Sequence, residues 1–179
     1  MSARPSQTGG PMRTDLCCAV ALSVLAVSTT ARADTWRERF EVGLAPELTL
    51  VGLAGGARAQ VAWLPGGPRT VSRVVLTPGF LVGPEFDYVP VGLGYRAVFR
   101  AGRVVRPLVG AGVEYQHRDV NDAPAARQLA VYLEGGSMFA VAPHWMVGAA
   151  VGMDVTVAGG FGFGLLGRVI ATWSFGSQR

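Results

Sequence analysis

The chain has 179 residues, half of them hydrophobic, with 25 glycines and a formal net charge of +4. That length holds one domain rather than two. Every basic residue is arginine, and no basic run or patch motif points to nucleic acid, so no nucleic-acid partner is expected.

The first segment reads as an export signal. Arg13 follows Met12, a plausible start; residues 16–27, LCCAVALSVLAV, form a short apolar stretch; Ala31-Arg32-Ala33 fits a small-x-small cleavage site before Asp34. The apolar stretch falls short of the about 20 residues that a membrane helix needs. The rival reading is an uncleaved anchor. The expected organisation is therefore a signal peptide over 1–33 and one domain over 34–179. Removing Arg4, Arg13, Arg32 and Asp15 with the leader leaves 13 Arg against 11 Asp and Glu. Cys17 and Cys18 both lie in the leader, and the sequence before Cys17 is a poor site for lipid attachment. The mature domain holds itself together without disulfides.

From Phe40 onward, apolar residues alternate with small or polar ones, the period of a strand rather than a helix. Phe40, Val42, Leu44 and Leu48 alternate with Glu41, Gly43 and Glu47. Ala59, Val61 and Trp63 give a shorter, weaker strand. Val74, Leu76, Phe80 and Val82 give a third. Val89 to Phe99 alternates with Pro90, Gly92, Gly94 and Arg96. Val109 to Tyr115 alternates with Gly110, Gly112, Glu114 and Gln116. Leu129, Val131 and Leu133 alternate with Ala130, Tyr132 and Glu134.

The stretch WMVGAAVGMDV, 145–155, shows the small-xxx-small spacing of packed membrane helices at Gly148 and Gly152. Asp154, Gly159-Gly160 and Arg168 interrupt it, and charges at the centre of a membrane helix cost about 2.5–3.5 kcal/mol each. Read with period two, Trp145, Val147, Ala149, Val151, Met153 and Val155 make an apolar face, and Asp154 lies on the other. A last strand runs from Phe161 to Phe175. Compact turns sit at 65–68, 101–103 and 143–144. The alternate connections fall at 83–87, at the polar run 118–127, and at 159–160.

A soluble barrel or sandwich puts its apolar parity inside and a Lys-, Glu- and Ser-rich face outside. Here the second face is mostly glycine with isolated charges, which suits the narrow interior of an eight-stranded barrel. Glu41, Glu47, Arg96, Arg106, Glu114, Glu134, Asp154 and Arg168 are the expected lumen charges, and they should pair, because a buried lone charge is costly. Trp36, Phe40, Trp63, Phe99, Phe139, Trp145, Trp173 and Phe175 fall at one end of the strands, where an aromatic girdle meets the membrane interface. Tyr88 and Tyr115 are assigned to the opposite rim. Replacing Val151 by Arg is expected to impair insertion, and replacing Gly152 by Ser to be milder.

Signal peptide, eight alternating strands, short turns on one side and the closing strand FGFGLLGRVIATWSF resemble the small OmpA/OmpX-type outer-membrane barrels. The resemblance implies an all-β, up-and-down transmembrane barrel in the outer membrane of a Gram-negative bacterium, with outer-membrane lipid and the barrel-insertion machinery as partners. It departs from the family at its end: closing strands there often finish on an aromatic, whereas Phe175 precedes Gly176-Ser177-Gln178-Arg179.

The leading functional expectation is a non-enzymatic barrel with a plugged polar lumen, serving envelope structure or surface interaction, with 118–127 as its best contact loop. The alternatives are a narrow pore for ions or small solutes, a lipid-modifying enzyme, and a soluble periplasmic ligand-binding barrel with its apolar face turned inward. His117 lies near Asp119 on one rim, and Ser137 and His144 on the other, so no nucleophile, base and orienting group converge. No His or Cys cluster offers a metal site, and the loop acids Glu85, Asp87, Asp119 and Asp122 read as solvated. GFGFG at 160–164 precedes a strand, not the helix of a phosphate loop. No cofactor is expected.

Overall fold

A computed structural model describes residues 37–50, 53–67, 71–84, 86–99, 104–120, 125–160 and 162–176. The leader, Trp36, Glu85, Asp122 and Phe161 lie outside the described residues. After a 3-10 turn at Arg37–Arg39 come eight strands: β1 Phe40–Thr49, β2 Ala54–Trp63, β3 Ser72–Val82, β4 Phe86–Val98, β5 Val105–Val120, β6 Ala126–Ala140, β7 Trp145–Ala158 and β8 Gly162–Ser174. Each pairs antiparallel with the next, and β1 pairs with β8 to close the barrel. Closure leaves no edge strand, so the ladders satisfy backbone groups all round, as a lipid environment requires. Every strand reaches the about 9–11 residues that a tilted strand needs to cross the hydrocarbon.

Alternation decides which way each side chain points. On β7, Val147, Val151, Met153, Val155 and Val157 are exposed, while Met146, Gly148, Ala150, Asp154 and Thr156 are buried. Leu44, Leu76, Leu93, Val113, Leu133 and Val169 extend the exposed apolar surface around the barrel. The buried set includes Glu41, Glu47, Arg58, Arg73, Arg96, Arg106, Glu114, Glu134, Asp154 and Arg168. Charges lie inside and hydrocarbon outside, the reverse of a water-soluble barrel. The reading of a soluble barrel with an inward apolar face is thereby overturned. No helix among the described residues is long and apolar enough to cross a membrane.

Three expectations are corrected. The second strand is as long as the first, at 10 residues each; Gly55 and Gly56 carry no side chain, so alternation had little to display there. The polar run 118–127 is not a long loop. Strand β5 continues to Val120 and β6 begins at Ala126, with Arg118 opposite Ala126 and His117 opposite Arg127. Antiparallel pairing needs no apolar side chains, so polarity alone did not mark irregular chain. Tyr88 points inward and is buried, and its hydroxyl meets that of Thr49 at 3.1 Å, so it forms no rim. Tyr115 is exposed as expected.

Candidate functional site

The lumen is the site, and the strand register builds it. Glu47 on β1 stands opposite Arg168 on β8, and their side chains form an ion pair. Arg58 enters from β2: its Nε donates to Glu47 Oε2 at 2.6 Å and its Nη2 to Glu47 Oε1 at 2.8 Å. The same guanidinium crosses the barrel to pair with Glu114 on β5. Arg168 extends the chain to β6, where Nη1 lies 2.9 Å from Glu134 Oε2. Arg96 on β4 reaches the other oxygen of Glu134 at 2.7 Å and donates to Gln60 Oε1 at 3.1 Å.

The result is a continuous relay, Glu114–Arg58–Glu47–Arg168–Glu134–Arg96, contributed by six strands and buried throughout. Taking each ion out of water costs several kcal/mol, which close pairing and additional hydrogen bonds must offset. Sharing each of Arg58, Arg168, Glu47 and Glu134 between two partners does this. Arg168 Nη2 has no hydrogen-bond partner among the described residues, but its guanidinium lies over the Tyr132 ring, 5.7 Å from the centroid.

On the side of the chain termini the lumen narrows further. Val98, Leu108, Met138, Met146, Ala150 and Ile170 pack into an apolar cluster with Ala45. Arg73 binds Glu41 through two hydrogen bonds of 2.8 and 3.0 Å, and Arg106 Nη1 lies 3.4 Å from Met146 Sδ. The space left beside Glu41, Arg73 and Arg96 is about 10 Å³, room for a single water at most.

At the opposite end Gln116 links the relay to two more charges. Its Nε2 donates to Glu114 Oε1 at 2.8 Å and to Asp154 Oδ2 at 3.2 Å, and its Oε1 accepts from Arg118 Nη2 at 2.9 Å. Above it the barrel opens into a cavity of about 300 Å³.

All eight expected lumen charges thus point inward. Glu47, Glu114, Glu134, Arg96 and Arg168 meet in the relay, Asp154 joins through Gln116, Glu41 pairs apart from it, and Arg106 contacts Met146. Sequence reasoning missed Arg58, the centre of the relay, and Arg73. Each sits one residue from an apolar position assigned outward, Ala59 and Val74, so carrying the alternation one step further would have found both.

The described girdle aromatics fall at the termini end. Phe40 stands opposite Trp63, Trp145 opposite Trp173, and Val105 opposite Phe139. The Phe99 amide donates to Pro107, and that of Phe175 to Phe40. Trp173 and Phe175 pack edge-on, their centroids 4.3 Å apart. His144 Nδ1 contacts the Ser174 carbonyl at 3.0 Å, whereas His117 pairs across to Arg127 near the other end. Among the described residues no group of His, Cys, Asp and Glu is arranged to hold a metal ion.

No protein-family model and no curated sequence matches this chain. Solved structures do. The N-terminal β-barrel domain of Pseudomonas aeruginosa OprF superposes with a TM-score of 0.62 at 13% identity, covering 78% of this chain and 98% of that one. Neisserial surface protein A (NspA) superposes with a TM-score of 0.55 at 14% identity, covering 76% of this chain and 94% of that one. At such identity the likeness carries the fold alone: the chain has the fold of the eight-stranded outer-membrane barrels.

Proposed function

We propose that this chain is a non-enzymatic barrel of the Gram-negative outer membrane, closed to solutes by its own side chains, that serves envelope structure or surface interaction. The carrying observation is the relay from Glu114 to Arg96, which crosses the lumen on six strands and uses most of its charge on itself. The apolar cluster beneath it adds a second barrier, and the space beside that cluster, next to Glu41 and Arg73, has room for a single water at most. The belt of exposed valine and leucine supports placement in lipid, and the aromatics at the termini end would sit at the periplasmic interface. Insertion would run through the barrel-insertion machinery, with β8 as the closing strand. The contact surface offered to a partner is the β5–β6 hairpin, the longest pair of strands, at 16 and 15 residues.

The test is twofold. Protein from an isolated outer-membrane fraction should migrate fast on a gel unboiled and shift on boiling. The same protein in a planar bilayer should give no stepwise conductance. Steady conductance would replace the plug with the narrow-pore reading. Release into the soluble fraction would defeat the membrane assignment.

A further inference from the structure

The cavity of about 300 Å³ at the mouth opposite the termini is lined by polar groups that the relay does not exhaust. Its floor is Arg58 with Glu114, which neutralise one another. Its walls carry Asp154 from β7 and Arg118 from β5. Four buried carboxylates, on Glu41, Glu47, Glu114 and Glu134, each meet an arginine. Asp154, 8% exposed, does not: among the described residues it accepts one hydrogen bond, from Gln116, and forms no ion pair. A carboxylate offers about four acceptor sites, so most of its capacity faces the cavity.

Arg118 is the complementary case. Its Nη2 is used by Gln116 Oε1 and its Nε is buried, while its Nη1 makes no hydrogen bond among the described residues. Aromatic faces hold its position: the guanidinium carbon lies 5.4 Å from the Phe86 centroid and 5.6 Å from that of Tyr88. The Gln116 amide stands between the two charges, with its oxygen toward the cation and its nitrogen toward the anion. It fixes them one side-chain amide apart. On β8, a Cβ at Gly164 would collide with Asp154 Oδ1, so glycine there keeps the carboxylate's place open.

We infer that this mouth is a binding site for a small zwitterion, its ammonium group on Asp154 and its carboxylate on Arg118. A simple anion would leave Asp154 unmatched and a simple cation would leave Arg118 unmatched. Arg58 and Arg118 balance Glu114 and Asp154, so the lining as a whole favours a neutral guest with separated charges. The volume lies at the small end of the roughly 300–1,000 Å³ of ligand sites, which suits a guest the size of a free amino acid. The inference stands whether or not the lumen conducts.

The test is saturation-transfer NMR on the full barrel in detergent micelles, with L-alanine as probe and acetate and methylammonium as its two halves. Alanine should receive saturation and bind at least about tenfold more tightly than either half, a gap of about 1.4 kcal/mol. Asp154→Asn and Arg118→Gln should each bring alanine down to the level of a half-probe, and each variant should keep its heat-modifiable mobility. Alanine binding no better than acetate, or undiminished in both variants, would overturn the inference. The comparison among the three probes on the unaltered protein decides the matter even where a variant fails to close.

Discussion

Arg58 on β2 holds Glu47 beside it and Glu114 across the barrel with a single guanidinium. One side chain therefore ties adjacent strands to the opposite wall. Arg58→Ala would leave two buried carboxylates short of a cation, and breaking a buried pair in this way costs about 3–5 kcal/mol. The temperature at which the unboiled form is lost on a gel should fall sharply. Adding Glu114→Gln should restore part of it, because one of the stranded charges is then gone. An Arg58→Ala barrel as heat-resistant as the original would show that the relay is ornament.

Val151 is the most exposed large apolar side chain among the described residues, at 72%, with Gly135 and Gly167 as its neighbours across the two ladders. Val151→Arg should cut the amount of folded barrel recovered from outer membranes, since an arginine at mid-bilayer depth costs about 2–4 kcal/mol on the lipid face. The structure changes the control. Gly152→Ser was expected to be mild because the position faces inward, but a Cβ there would lie 2.6 Å from the Leu133 carbonyl oxygen. Gly152→Ser should itself destabilise. Thr156→Ser, inward and buried with a Cβ already in place, is the neutral comparison. Equal recovery of the Val151→Arg and Thr156→Ser proteins would contradict the outward assignment of Val151.

What was legible in the sequence follows from one property of strands. Side chains alternate with period two, so facing can be read wherever both parities carry distinct residues, as on β7 and β8. That gave the strand count and the inward direction of all eight expected lumen charges. It failed where both parities are nearly blank, as at Gly55 and Gly56, and Arg58 was lost with the short reading of β2. It failed again where polar residues sit on paired strand, so the ends of β5 and β6 read as loop. Tyr88 was placed by its nature as an aromatic near a strand end rather than by its parity, which it shares with Pro90 and Gly92. Partner choice was never legible: which arginine reaches which carboxylate depends on crossing the lumen, and spacing along a strand says nothing about that distance.

Gly94 and Gly112 on the inner wall lie under the ring of Tyr132. A Cβ on Gly94 would run into the Tyr132 hydroxyl and come within 2.8 Å of the Ala111 carbonyl oxygen. Gly94→Ala should therefore destabilise the barrel by about 1–3 kcal/mol, the usual cost of overfilling a packed interior. Urea unfolding followed by the heat-modifiable band would read it. Gly167→Ala on β8, where an added Cβ would meet nothing within 4 Å, is the comparison and should not destabilise. A Gly94→Ala protein of unchanged midpoint would mean that Tyr132 has room to move aside.

The β5–β6 hairpin makes the last prediction. A long polar loop over 118–127 would present Arg118 and Arg127 to trypsin as accessible, unpaired chain. Instead His117 and Arg127 face each other on paired strands, and so do Arg118 and Ala126. A protease needs several residues free of their ladder, and cleavage then waits on local opening of the sheet. Trypsin added to the folded barrel in micelles should leave the bonds after Arg118 and Arg127 intact under conditions that cut the boiled protein at both. Mass spectrometry of the fragments gives the answer directly. Rapid cleavage after either arginine in the folded form would show that the pairing frays and that the run behaves as a loop, which would also weaken the case for the hairpin as a preformed contact surface.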